Sequence, residues 1–133
     1  MKYLLDTDIC IFFLQGKYNI KDKIKSVGID NCYISEITIA ELKYGAANSS
    51  NFEKHSNEVD KMEELFTVIP IYDSLDQFAS EKSRLRKAGI LIPDFDLLIG
   101  VTSIVNDLIL VSNNVKHLQR ISNVKIENWK TST

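Results

Sequence analysis

Short strand-like runs divided by helical stretches constrain this chain more than any other feature. Tyr3-Leu4-Leu5, Cys32-Tyr33-Ile34-Ser35, Thr67 to Tyr72, Leu108-Ile109-Leu110-Val111 and Val124 to Glu127 have strand character. The fourth is a continuous apolar run of the kind buried in a central parallel strand. Pro70 marks the third as an edge strand, because proline cannot donate to a ladder. Helices are expected at Asp8 to Leu14, Ile20 to Val27, Thr38 to Ala47, Phe52 to Phe66, Ser74 to Ala88 and Asp94 to Asn106. A short helical turn is expected at Val115 to Gln119. Gly16, Gly28 and Gly89 stop three of the helices, and Ser74 with Gln77 has the pattern of a capping box. The order βααβααβααβαβ predicts an α/β fold with a mainly parallel central sheet flanked by helices on both faces. No linker or repeat divides the 133 residues, so one domain, 1–133, is expected.

Parallel sheets of this kind place ligands beyond the carboxyl ends of their strands. Four polar clusters fall there. The first strand ends in Asp6-Thr7-Asp8. Glu41 lies between Ala40 and Leu42 near the start of a helix. Asp94 and Asp96 open the apolar helix after Pro93, and Ser112-Asn113-Asn114 follows the apolar strand. Each has a purely structural reading. Asp6 or Asp8 can cap a helix, Thr38 with Glu41 fits a capping box, Asp94 and Asp96 favour a helix dipole, and Asn113-Asn114 suits a turn. Together they place carboxylates around one sheet edge with no Lys or Arg in the same motifs. Carboxylates so gathered need a cation to remain ionised, and hard oxygen donors select magnesium or manganese. Such a site suits phosphodiester cleavage.

Composition narrows the setting. A net charge of -2 and a pI near 5.7 argue against a general nucleic-acid binder, though not against an acidic site neutralised by a cation. Cys10 and Cys32 sit in apolar runs and read as core thiols rather than a disulfide. No leader-like or membrane-spanning stretch stands out, so a cytoplasmic protein is expected.

The four motifs, in this order and at these separations, resemble the PIN-domain ribonucleases, most closely the VapC toxins of type II toxin–antitoxin modules. Tyr3 to Ile9 is similar to the family's first motif, Ile34 to Gly45 to its second, Asp94 to Gly100 to its third and Leu110 to Asn114 to its fourth. The resemblance covers almost the whole chain. It implies a three-layer PIN-like fold and a metal-dependent endoribonuclease acting on RNA, with tRNA or another structured RNA as the target class. Asp6, Glu41 and Asp96 would be the catalytic, metal-binding carboxylates, with Mg2+ or Mn2+ as cofactor. Ser112, Asn114, Asp94 and Asp8 would support them. Ser112 stands where the family usually has threonine, and Asn114 where many members have an acid. The resemblance also implies a homodimer and a VapB-like cognate antitoxin laid across the cleft.

RNA contact requires positive charge, for which Lys17, Lys21, Lys23, Lys25, Lys82, Arg84, Arg86, Lys87, Lys116 and Arg120 are available. Two other readings stand beside this one. Asp6-Thr7-Asp8 also fits the opening of a haloacid-dehalogenase-type phosphatase with Asp6 as nucleophile. Alternatively, a PIN-like chain with a weak site could serve as a protein-binding module, for which Asn114 speaks.

Overall fold

A computed structural model describes residues 1–131. The strands are β1 (Tyr3–Leu5), β2 (Cys32–Ser35), β3 (Thr67–Ile69), β4 (Ile109–Val111) and β5 (Ile126–Glu127). The helices are α1 (Thr7–Gln15), α2 (Ile20–Val27), α3 (Glu36–Ala47), α4 (Phe52–Leu65), α5 (Leu75–Lys87), α6 (Asp94–Val105) and α7 (Val115–Leu118). All four strand pairings are parallel, in the order β3-β2-β1-β4-β5.

That order sets the position of the site. From β1 the chain builds outward through β2 to β3, then returns to the other side of β1 for β4 and β5. The reversal leaves a crevice between the carboxyl ends of β1 and β4, where Leu5 is in register with Val111. The sheet is covered on both faces because its side chains alternate. Tyr3, Leu5, Ile109 and Val111 enter one core with Ile9 and Cys10 of α1, Ile20 and Ile24 of α2 and Met62 of α4. Leu4 and Leu110 enter the other with Leu85 of α5, Leu97 and Val101 of α6 and Leu118 of α7. These two cores make the expected three-layer α/β architecture. Gly100 lets α6 approach closely, since a Cβ there would meet the Ile121 side chain at 2.3 Å.

Most element ends fall within two residues of expectation, the last strand starting at Ile126 rather than Val124, and three differences have a local chemical cause. α3 begins at Glu36, ahead of Thr38, because the Ser35 hydroxyl accepts the Ile37 N–H at 3.0 Å and caps the helix. β3 ends at Ile69, where Pro70 cannot extend a ladder; as expected, it is an edge strand. The Ser74–Gln77 capping box does not form. Ser74 is buried in helical conformation, and its hydroxyl has no hydrogen-bond partner. Both cysteines are buried and free. Among the described residues no helix is long and apolar enough to cross a membrane.

Candidate active site

β1 and β4 deliver Asp6 and Ser112 side by side. The Asp6 N–H donates to the Val111 carbonyl at 2.9 Å, extending the ladder one residue past the strand. Asp6 then leaves the sheet in extended conformation and caps α1, accepting the Thr7 N–H on Oδ1 at 2.8 Å. Its Oδ2 accepts the Ser112 hydroxyl at 2.7 Å. The capping reading of Asp6 therefore holds, but only for one of its two oxygens. Asp8, in the first turn of α1, accepts the Ile9 N–H on Oδ1 and the Asn113 N–H on Oδ2, at 2.7 and 3.0 Å. The Ser112 Oγ accepts the Asn114 N–H at 2.9 Å, which folds the turn back over the acids.

Burial makes this cluster electrostatically unfavourable. Asp6 is 5% exposed. Loss of solvation raises its pKa to about 7, and the neighbouring charges of Asp8 and Asp96 raise it too, against the lowering by the Ser112 and Thr7 hydrogen bonds. Asp8 is likewise raised, chiefly by burial, with Asp96 adding to it. Asp96, in the first turn of α6, is half-buried; burial raises it and His117 of α7 opposes the rise. The largest influences on these three acids are burial, one another's charge, His117 and hydrogen bonds, with no arginine or lysine among them.

Glu41, on α3, is tied to the site through Thr7. The Thr7 hydroxyl donates to its Oε1 at 2.7 Å, and the hydroxyls of Thr7 and Thr38 lie 3.0 Å apart. Thr38 is thus an interior residue of α3, and Glu41 is held by Thr7 rather than folded back in the expected capping box. Asn114 hydrogen-bonds Nδ1 of His117 through Oδ1 at 2.8 Å. Asp94 is not part of the cluster's hydrogen bonding. It is exposed and pairs with Lys82 at 2.9 Å.

Thr7, the Asn113 N–H and His117 are members of the site that sequence reading missed. His117 lies three residues after Asn114, a helical spacing that signals proximity. Of the basic candidates, Arg84 is committed to Glu81 and the Arg120 carbonyl, and Arg120 to the Leu91 carbonyl. Lys23 sits over the Trp129 ring.

The donor set fits a hard divalent cation. It consists of carboxylate, hydroxyl and amide oxygens, and its acids share a charge excess that burial makes costly. Among the described residues no three His, Cys, Asp or Glu side chains form a ready cage. Magnesium needs none, since it keeps several waters and takes one or two carboxylates. Beside the acids, Ile11, Leu14 and Leu42 line a cleft between α1, α3 and α4 that reaches Glu41. A second cleft, lined by Phe13, Ile24 and Leu65, runs between α1, α2 and α4.

Comparison with known proteins agrees with this geometry. The PIN domain profile matches residues 3–123. Ribonuclease VapC2 of Rickettsia felis is 31% identical over 135 residues, covering 97% of this chain and 98% of the relative. The tRNA(fMet)-specific endonuclease VapC of Salmonella typhimurium is 29% identical over 132 residues, with the same coverage. Among solved structures, VapBC2 of Rickettsia felis bound to a promoter DNA fragment superposes with a TM-score of 0.91 at 28% identity, over 98% of this chain and 100% of that one. VapBC-1 of nontypeable Haemophilus influenzae gives 0.86 at 30% identity, over 97% and 98%.

Proposed function

The chain belongs to the PIN-domain family, and within it to the VapC ribonucleases; from that membership we propose that it is an endoribonuclease toxin held in check by a VapB-like antitoxin. The observation that carries the reading is the buried carboxylate cluster at the β1–β4 crevice of a chain similar along its length to VapC ribonucleases. The activity is assigned to one PIN-like domain, 1–133, working on RNA in the cytoplasm. The proposed substrate class is tRNA, in keeping with the tRNA endonuclease among the relatives.

Asp6, Glu41 and Asp96 are the proposed carboxylates for Mg2+ or Mn2+, with Asp8, Ser112 and Asn114 in support. A divalent ion bound there supplies an activated water and neutralises charge at the scissile phosphate. The chain's own residues do the rest. Ser112 and the Thr7 N–H fix both oxygens of Asp6, so its carboxylate is oriented before substrate arrives. The Asn113 N–H fixes Asp8, and His117 holds the Asn114 amide. The exposed lysines near the crevice, Lys116 among them, attract the RNA backbone. The clefts beside α1 present apolar surface that an antitoxin arm could cover, one of them ending at Glu41. A homodimer is proposed from family membership.

The phosphatase alternative would need Asp6 open to attack a phosphate. Instead Asp6 is buried with both oxygens engaged. The test is cleavage of total tRNA by antitoxin-free protein with Mg2+ or Mn2+ against EDTA, with Asp96→Asn alongside. Discrete fragments that require both the ion and Asp96 are the expected result. Folded protein that leaves a broad RNA panel intact would sink the reading and favour the binding module.

A further inference from the structure

Thr7 stands between the two acids of the first motif, where it looks like a spacer. Its two polar groups have separate tasks. The backbone N–H, at the first position of α1, donates to Asp6 Oδ1 at 2.8 Å. The hydroxyl crosses 34 residues of sequence to donate to Glu41 Oε1 at 2.7 Å. One residue therefore ties the β1 carboxylate to the α3 carboxylate.

Proton counting gives the link a direction. The Thr7 hydroxyl has a single proton, and it goes to Glu41 Oε1. The Thr38 hydroxyl, 3.0 Å from Thr7 Oγ1, must then donate its own proton to Thr7. Thr38 is fully buried and lies three residues before Glu41, on the same side of α3. A helical threonine commonly returns its proton to a carbonyl one turn back, as Thr102 does to Leu98 at 2.7 Å. Thr38 is turned to Thr7 instead. The β-branch of Thr7 restricts its χ1, which helps to hold the hydroxyl on this line.

We propose that Thr7 is a positioning residue for Glu41: the Thr38→Thr7→Glu41 hydrogen-bond chain sets the α3 carboxylate at a fixed place relative to Asp6. The proposal rests on the endoribonuclease reading for its consequence, because Glu41 so held can join Asp6 around one cation. Loss of an orienting partner of a metal-binding side chain typically costs about 10- to 100-fold in metal affinity.

Two measurements test it, one free of metal. Crystal structures of the metal-free wild type, Thr7→Val and Thr7→Ser locate the Glu41 carboxylate. It should move away in Thr7→Val and stay in Thr7→Ser. Mn2+ titration of the same proteins, with Glu41→Gln and the Thr7→Val/Glu41→Gln double variant, reads the coupling. Thr7→Val should weaken Mn2+ about 10- to 100-fold, Thr7→Ser should restore most of it, and Thr7→Val should add nothing once Glu41 is gone. An unmoved Glu41 in Thr7→Val, or an equal loss with and without Glu41, overturns the inference. A wild type that binds no Mn2+ overturns the metal-site reading instead, and the Glu41 position then decides on Thr7 alone. If Thr7→Val does not fold, Thr38→Val breaks the chain one bond upstream and is judged by the same readouts.

Discussion

On the β1–β4 side of the crevice, Asp6 is buried and both its oxygens accept hydrogen bonds from the protein. On the α6–α7 side, Asp96 is half-buried, its main electrostatic relief comes from His117, and Asp94 beside it is exposed and paired with Lys82. The first side is closed, its Asp6 oxygens held by the Ser112 hydroxyl at the end of β4 and the Thr7 N–H at the start of α1. The second is more open, carried on the first turn of α6 and on the exposed His117 of α7. A buried acid fixed in advance can orient a cation, and an open one can yield to an incoming phosphate. The comparison teaches that burial, which makes the closed side costly on its own, also gives it most to gain from positive charge.

The sharpest way to break this contrast is to neutralise one acid on each side. Asp6→Asn and Asp96→Asn should each cut RNA cleavage by about 100-fold or more, at least as much as the loss of a group that only orients a metal ligand. They should differ in stability. At pH 8 and without metal, Asp6→Asn should melt higher than wild type, because it removes a buried charge. Asp96→Asn, half-buried, should gain less. Equal gains measured by calorimetry would mean that the two sides are electrostatically alike.

Ser112→Ala comes next in size. It leaves Asp6 Oδ2 and the Asn114 N–H without their partner. We expect a loss of about 1–3 kcal/mol in denaturant unfolding and about 10- to 100-fold in cleavage. Ser112→Thr, which keeps the hydroxyl, should be close to wild type.

The pH dependence of metal-free stability is a third, smaller effect. Asp6 titrates near 7 in the folded chain and near 3.8 when unfolded. Between those values the folded state binds the extra proton, so stability should fall as pH rises from about 4 to about 7 and level off above. Asp8 and Asp96, also raised, add to the same slope. Mg2+ should raise the melting temperature more at pH 8 than at pH 5, where protons already occupy the acids. The smallest effect is expected at Asp94→Asn. It breaks an exposed ion pair, so stability should stay within about 0.5 kcal/mol, with cleavage within about twofold of wild type.

Most of the fold was legible because strand and helix periods alternate cleanly from Tyr3 to Glu127, and a parallel sheet follows from that alternation. What misled was local chemistry with two uses. Thr38 and Glu41 have the spacing of a capping box, yet Ser35 caps α3 and Thr38 turns inward to Thr7. Ser74 and Gln77 have the spacing too, but burial takes the serine out of capping geometry. In the site, the acids stood out by charge. Thr7 did not, because its role depends on a partner 34 residues away that only the packing of α1 against α3 brings near. His117 could have been found from its helical spacing to Asn114. The separation of Asp94 from Asp96 required knowing that Lys82 lies beside α6.

The most direct test of the closed, cation-seeking acid pair is the pKa of the Asp6 carboxyl, followed by carbon NMR with and without Mg2+. The account predicts titration near 7 in the metal-free protein and a clear fall when Mg2+ is added. An Asp6 that titrates as an ordinary aspartate without metal, or one that Mg2+ leaves unmoved, would contradict it.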